Sequence, residues 1–399
     1  MDELNISVSD LSTLLSWGST QSHILTGNGL LSIVSTEGKD FEAHDLPHSL
    51  IRNRISKRTF KDWLKRGKVS YAIMGCWYRP IFSGGWMESN DTDTLAYNIQ
   101  TPSIFIDMRF PSRRPSEILM KRGSLSQCSD IELKILARQH CFAGYTYPEE
   151  SARPLLFTRH HVIDWNYHPR FPRNRPNRWW VELNAKEDSF KEFSFARDSN
   201  NVPIYFERWA RFHGDSNGKE YLALRKITSC PFQALAEGKE PQRDGILVVM
   251  GDHFALAIDR SIQCPNFESF IPAAGQGTGP GDLIDHALSI GHSESARADV
   301  ENFLDLTGCY GQISYNTQTK ATNWTIIKST KPWLEGSQLF SHTDVKLKWD
   351  DNPEIGSINE LQSILWDGAE WEVLECSLNV ERINSLFLTS NHRILISKI

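Results

Sequence analysis

Two short strands place acids, arginines and aromatic rings on single faces. In SIFIDMRF, Ser103, Phe105, Asp107 and Arg109 share one face, because side chains alternate along a strand. In IYFERWARF, Tyr205, Glu207, Trp209 and Arg211 do the same. Acid, ring and arginine on two strands fit a polar, aromatic-lined cavity. The same residues could equally close structural Asp–Arg and Glu–Arg bridges on a solvated face. Trp77 and Arg79 of GCWYRP share a strand face and could stack on or clamp a planar or anionic ligand. In HHVIDWNY, strict alternation puts His160, Val162, Asp164 and Asn166 on one face and His161, Ile163 and Trp165 on the other. Either histidine could act as an acid–base group, since an imidazole transfers protons near neutrality, and a satisfied core or surface histidine fits the same pattern. Asp252, beside His253, reads as a strand-end turn or an ion pair.

Two basic tracts suit a different partner. Arg52 to Lys68 carries Arg52, Arg54, Lys57, Arg58, Lys61, Lys65, Arg66 and Lys68 against one acid, Asp62. With Ser56 as a cap, Lys57, Lys61, Lys65 and Lys68 line one helical face, and Phe60, Trp63 and Leu64 form a neighbouring apolar stripe. Such a lysine rail is what phosphate-backbone binding requires, although a solvated charged helix has the same pattern. The tract HPRFPRNRPNRWW adds Arg170, Arg173, Arg175 and Arg178 ahead of Trp179 and Trp180, a combination that grips single-stranded ends by charge and stacking.

The elements that must position these groups are mostly strands. From residue 69 the chain runs in short, aromatic, β-branched segments of period two, separated by Gly, Pro, Asn and Asp. The predicted fold is mainly β: two antiparallel barrels behind a partly helical N-terminal extension. The expected divisions are 1–68 for the extension with its basic helix, 69–230 for the first barrel and 231–399 for the second. One helix, CSDIELKILARQ, interrupts the first series with Ile131, Ile135 and Leu136 on a stripe, and is expected to cover a barrel end.

Composition narrows the chemistry. The 399 residues hold 43 Lys and Arg against 49 Asp and Glu, net −6, which excludes a uniformly basic nucleic-acid coat. No apolar run approaches the roughly 20 residues of a membrane helix. The acidic, polar start lacks a secretory signal, and seven scattered cysteines without a C-x-x-C pair favour free thiols, so the expected location is cytoplasmic. Serine-hydrolase, zincin and phosphate-loop motifs are missing, and the glycines before Asp282 are spoiled for phosphate by Pro280 and that acid. No metal and no cofactor is expected, and any condensation would need a substrate that arrives activated.

The motif string QTPSIFIDMRFP, LARQHCFAGYT, HHVIDW, YFERWAR, LVVMGDHFALAIDR and NWTIIKSTKPWLEGSQLF resembles a bacterial family of uncharacterised proteins and, more distantly, calycin-like two-barrel proteins of the yeast Hri type. The resemblance spans about residues 70–340. It carries over Trp77, Arg79, Asp107, Arg109, Gln139, Gly144, His161, Asp164, Glu207, Trp209 and Asp252, without an agreed activity. In general character the chain is also similar to the fungal arginine-containing cyclodipeptide synthases, which draw aminoacyl groups from tRNA. That similarity implies a cyclo-arginyl-Xaa diketopiperazine made from arginyl-tRNA and a second aminoacyl-tRNA. The basic tracts would hold tRNA, His161 or Asp164 would take the proton, and Asp107 and Glu207 would hold the guanidinium. Trp77, Arg79, Arg109, Trp209 and Arg211 would contact substrate. The alternatives are a calycin-like small-molecule binder, a cofactor-free isomerase or cyclase, and a purely structural barrel.

Overall fold

A computed structural model describes residues 69, 71–83, 93–149, 155–166, 177–186, 188–195, 197, 199–212, 220–226, 243–260, 280–290, 294–316, 318, 321–340, 345–349 and 361–387. The whole of the expected extension, including Arg52 to Lys68, lies outside these residues, as do Arg170, Arg173 and Arg175.

Eight strands in chain order close into an antiparallel barrel: β1 (Gly75–Ser83), β2 (Thr94–Gln100), β3 (Ile104–Pro111), β4 (His140–Glu149), β5 (Leu155–Asp164), β6 (Asn177–Leu183), β7 (Ser189–Ser194) and β8 (Phe206–Arg211), which pairs back onto β1. Alternation explains why β3 is buried along its whole length. Phe105, Asp107 and Arg109 face the lumen, whereas Ile104, Ile106, Met108 and Phe110 face outward into a core shared with the second sheet. Inside the barrel, Trp77, Ala96, Phe157, Trp179, Val181, Phe190 and Trp209 form a separate apolar cluster.

The second sheet holds β9 (Tyr221–Lys226), β10 (Gly245–Met250), β11 (His253–Ile258), β12 (Thr307–Asn316), β13 (Ala321–Ser329), β14 (Lys346–Trp349), β15 (Leu361–Trp366) and β16 (Ala369–Cys376), in the order β13-β12-β11-β10-β9-β16-β15-β14. Two expectations are corrected here. Among the described residues this sheet is not closed: β13 and β14 are its edges, and β14 is a four-residue strand carrying Lys346 and Lys348, features that blunt an edge rather than pair it. The strand at 221–226, placed in the first barrel by its period, belongs to the second sheet between β10 and β16, so the change of sheet falls before 221 rather than at 230.

Five α-helices, α1 (Ser116–Leu119), α2 (Asp130–Leu136), α3 (Pro280–Ile290), α4 (Glu294–Leu304) and α5 (Val380–Phe387), and three short 3-10 turns complete the described elements. A capping box fixes the start of α2: Ser129 accepts from the Glu132 amide, and Glu132 accepts from that of Ser129. Ile131, expected on the buried stripe, is exposed, and Leu133 takes its place beside Leu136. Rather than closing a barrel end alone, α2 packs with α3 and α4 over the core between barrel and sheet, tied by Arg138–Asp285 and by Arg297–Asp130 at 2.6 Å.

Barrel and sheet meet closely. A Cβ on Gly308 would lie 2.7 Å from Cys141 Sγ, and the Tyr97 ring stacks on Tyr310 at 4.2 Å. Polar ties cross the same boundary: Arg260 donates to the Trp165 carbonyl at 2.9 Å, and Glu375 accepts from Thr101 and from the Ser103 amide. No described helix is long and apolar enough to cross a membrane.

Candidate functional site in the barrel lumen

The lumen gathers acids and arginines that the barrel strands carry, and it gathers them as ion pairs. Arg109 grips Asp107 with two bonds, Nε to Oδ1 at 3.0 Å and Nη2 to Oδ2 at 3.2 Å, and reaches Glu207 Oε1 with Nη1 at 3.2 Å. Arg79 donates to the same Glu207 oxygen at 2.6 Å, and Trp209 Nε1 donates to the other at 3.1 Å. A third arginine, Arg159 of β5, donates to Asp107 Oδ2 at 3.2 Å and lies 4.3 Å from the Phe105 ring centroid and 4.7 Å from that of Trp179. Asp107, Glu207, Arg79 and Arg109 are each at most 4% exposed. The acceptors expected to take a substrate guanidinium therefore already hold the chain's own guanidiniums, and of the two readings left open the structure realises the bridges, inside the barrel instead of on a solvated face.

Electrostatics follow from burial. Desolvation works to raise the Asp107 carboxyl, but Arg109 and Arg159 outweigh it and hold the group below the ordinary range. Desolvation works against the Arg109 charge, yet Asp107 and Glu207 push its pKa well up. Glu192 of β7 stands directly opposite Glu207 of β8 and accepts from the Tyr205 hydroxyl at 3.0 Å. Burial, reinforced by the Glu207 charge, raises its carboxyl to about 8. Glu192 thus keeps its proton to higher pH than an ordinary carboxyl.

The His161–Asp164 pair is made by an irregularity that alternation misses. Ala143 pairs with Ile163 but Gly144 pairs with His161, so Val162 is an extra residue in β5, a β-bulge. Only glycine fits at 144, where a Cβ would fall 1.9 Å from the His160 carbonyl oxygen. The extra residue inverts the facing order: His161, expected opposite to Asp164, joins it on the lumen side, with Nδ1 at 3.5 Å from Asp164 Oδ2. Phe142 and Phe105 pack on the imidazole at 4.9 and 5.5 Å between ring centroids. Asp164 also accepts from the Asn166 amide at 3.0 Å, while the Asn166 side chain meets His140 Nδ1 at 2.9 Å. His160 instead stacks on Tyr145 at 4.6 Å. A base oriented by a carboxylate is the arrangement that proton abstraction uses.

Other expected site residues have structural work. Trp77 donates to the Ile73 carbonyl at 3.0 Å and packs edge-on against Phe190. Arg211 lies over the Trp77 ring at 4.2 Å and donates to the Met74 and Ala72 carbonyls. Together they hold the turn at Tyr71–Ile73 against the barrel instead of facing a ligand. Arg178, near the start of β6, pairs with Glu149 at 2.6 Å and lies over Phe195. Gln139 donates to the Leu136 and Thr330 carbonyls and accepts from Arg114, so it ties the barrel to the second sheet. Asp252 sits in the β10–β11 turn and pairs with Arg382 at 2.9 Å, as its strand-end reading requires.

Sequence reasoning missed Arg159, Glu192 and Asn98. Their signal was present, since FTRHHV, FKEFS and AYNIQ alternate like the strands that were singled out, but nothing local says which face turns inward. Among the described residues no three or more His, Cys, Asp or Glu side chains are grouped to hold a metal ion.

No family model and no curated protein matches this chain. Among solved structures it is similar to the uncharacterized protein YLR301w from Saccharomyces cerevisiae, with 12% sequence identity and a TM-score of 0.40, over 76% of this chain and 98% of that one.

Proposed function

We propose that the first barrel is a calycin-like module that takes a small polar molecule on the lumen side of β5 and moves a proton on it, with His161 as base and Asp164 orienting the imidazole. The observation that supports this reading is the bulge at Val162, which places both side chains on one face at 3.5 Å. A barrel that needed only to fold had no use for a histidine and a carboxylate brought together at a position where only glycine is tolerated opposite. Isomerisation is the simplest reaction of this type. The direct test is to incubate the purified chain with a metabolite extract in deuterium oxide and look by mass spectrometry for small molecules that gain deuterium at carbon. Exchange should fall about 10²–10⁴-fold in His161→Asn, the span of general-base effects. Exchange that survives this substitution removes His161 from the role.

The two basic tracts of the sequence favour a second reading: an aminoacyl-tRNA-dependent cyclodipeptide synthase using arginyl-tRNA and a second aminoacyl-tRNA. The same His161 and Asp164 would take the proton as one α-amine attacks the other ester, and ring closure would follow by proximity. Asp107 and Glu207 would have to exchange Arg109 or Arg79 for the arginyl side chain. Incubation with charged tRNAs decides it. Cyclic dipeptides that vanish after ribonuclease treatment, and in the variant with Lys57, Lys61 and Lys65 neutralised, support synthesis. No product under any condition ends that reading and leaves the first untouched.

A further inference from the structure

Asn98 of β2 stands between Trp77 of β1 and Asp107 of β3 in register, on the lumen side, and is 1% exposed. Its side-chain Oδ1 is buried without a hydrogen-bond partner among the described residues. Both oxygens of the neighbouring Asp107 are taken by Arg109 and Arg159. Arg159 leaves its Nε, also buried, without a partner. One unpaired buried amide oxygen is costly, and a second orphan flanking the same carboxylate concentrates the cost at one place.

Resting on the reading of the barrel as a small-molecule module, we propose that Asn98 and Arg159 form its recognition subsite, and that the ligand is a neutral planar ring carrying a lactam edge. Charge comes first in the argument. Every carboxylate that Arg159 and Arg109 touch is already paired, so a charged ligand would either break a pair or bring an unpaired charge into a buried site. A neutral ligand with matched donors and acceptors uses what is left over. The Asn98 amide offers an acceptor beside a donor, and its complement is an N–H beside a C=O on one edge. An open-chain secondary amide is trans, with N–H and C=O directed to opposite sides, so it presents only one of them to Asn98. A ring enforces the cis form and presents both, as in a lactam, a cyclic imide or a cyclic urea. Arg159 Nε adds a donor for a second carbonyl. Phe105 and Trp179 around Arg159 supply flat walls for such a ring.

Calorimetric titration tests this with uracil and piperazine-2,5-dione as probes against their N,N′-dimethyl counterparts, which keep the shape and lose the N–H. The parent rings should bind at least about ten-fold more tightly than the methylated ones, one lost hydrogen bond in a buried site. Asn98→Leu should lose the same factor while raising the thermal midpoint, because it removes the orphan amide oxygen. Arg159→Lys, which keeps the charge on Asp107 and removes Nε–H, should weaken binding several-fold and carries the test if Asn98→Leu does not fold. Equal affinity for parent and methylated rings, or unchanged affinity in the variants, overturns the proposal, because the amide is then served by water. A thermal-shift panel of carboxylates, amines and apolar rings run alongside separates the two readings. If those bind and lactams do not, the subsite falls and the small-molecule barrel stands, whereas if nothing binds both fall.

Discussion

The two β units bury opposite chemistries. The second sheet packs Leu222, Leu224, Leu247, Val249, Phe254, Trp324, Trp366 and Trp371 against α5, an apolar face of the kind that burial alone favours. The closed barrel instead encloses Arg79, Arg109, Arg159, Asp107, Glu192 and Glu207 among tryptophans and phenylalanines. Desolvating these charges offsets much of what their attraction returns, so an ionic interior contributes little net stability compared with a well-packed apolar one. The contrast teaches where to look for function: the second sheet shows that this chain can fill an interior cheaply, and the barrel departs from that solution at the residues that could meet a ligand.

The sharpest way to break the comparison is to unpair the barrel. Glu207→Leu removes a buried carboxylate from both Arg79 and Arg109, and should destabilise by about 3–5 kcal/mol in urea unfolding. Combining it with Arg79→Met should restore much of that loss, because the stranded charge goes with its partner. In the second sheet the matching truncation, Leu247→Ala between Leu224 and Leu256, should cost about 3 kcal/mol through lost burial and a cavity, and no second substitution of opposite polarity should rescue it. Rescue in both regions, or in neither, would erase the distinction.

The next effect is smaller and depends on pH. Glu192 titrates at about 8 in the folded chain against an ordinary 4.5. Between those values the folded state keeps a proton that the unfolded chain has released, so stability falls as pH rises from about 4.5 to about 8 and then levels off. One proton sets an upper slope of about 1.4 kcal/mol per pH unit. Glu192→Gln should flatten it, whereas Leu247→Ala should leave it in place. Asp107 acts in the other direction: its lowered pKa stabilises above the ordinary carboxylate value, and that contribution is lost as pH falls through the folded value. A stability curve with no descending limb between pH 5 and 8 would place the proton elsewhere.

Strand positions and lumen faces were legible in the sequence wherever alternation is strict. Asp107 with Arg109, and Glu207 with Trp209 and Arg211, lie as their spacing requires, whereas β1 breaks its register against β8 between Tyr78 and Ile81. His161 and Asp164 were misplaced by one residue, because a bulge is a property of a pair of strands. Gly144 marks the spot, but only its register against β5 says why. The assignment of 221–226 failed for a related reason: Tyr-Leu-Ala-Leu suits either sheet, and partner choice is set by the apolar face of β10, over 20 residues later in the chain. Closure of the second unit was beyond the sequence too, since it depends on whether two distant edges meet.

The smallest expected effect lies on the surface of the second unit, where charge is as plentiful as in the barrel but solvated. The Asp252 side chain is 71% exposed in its pair with Arg382, itself also near Glu220 at 3.5 Å. Water screens this pair, and holding two mobile side chains together costs entropy, so Asp252→Ala should change stability by no more than about 0.5 kcal/mol. The value of so small a number is as a reference. Asp252–Arg382 at 2.9 Å and Arg79–Glu207 at 2.6 Å are similar in geometry and differ in exposure. If raising salt weakens the first pair and leaves the second unmoved, burial rather than contact distance sets the difference in cost, and the barrel's charges are held where solvent does not compete for them.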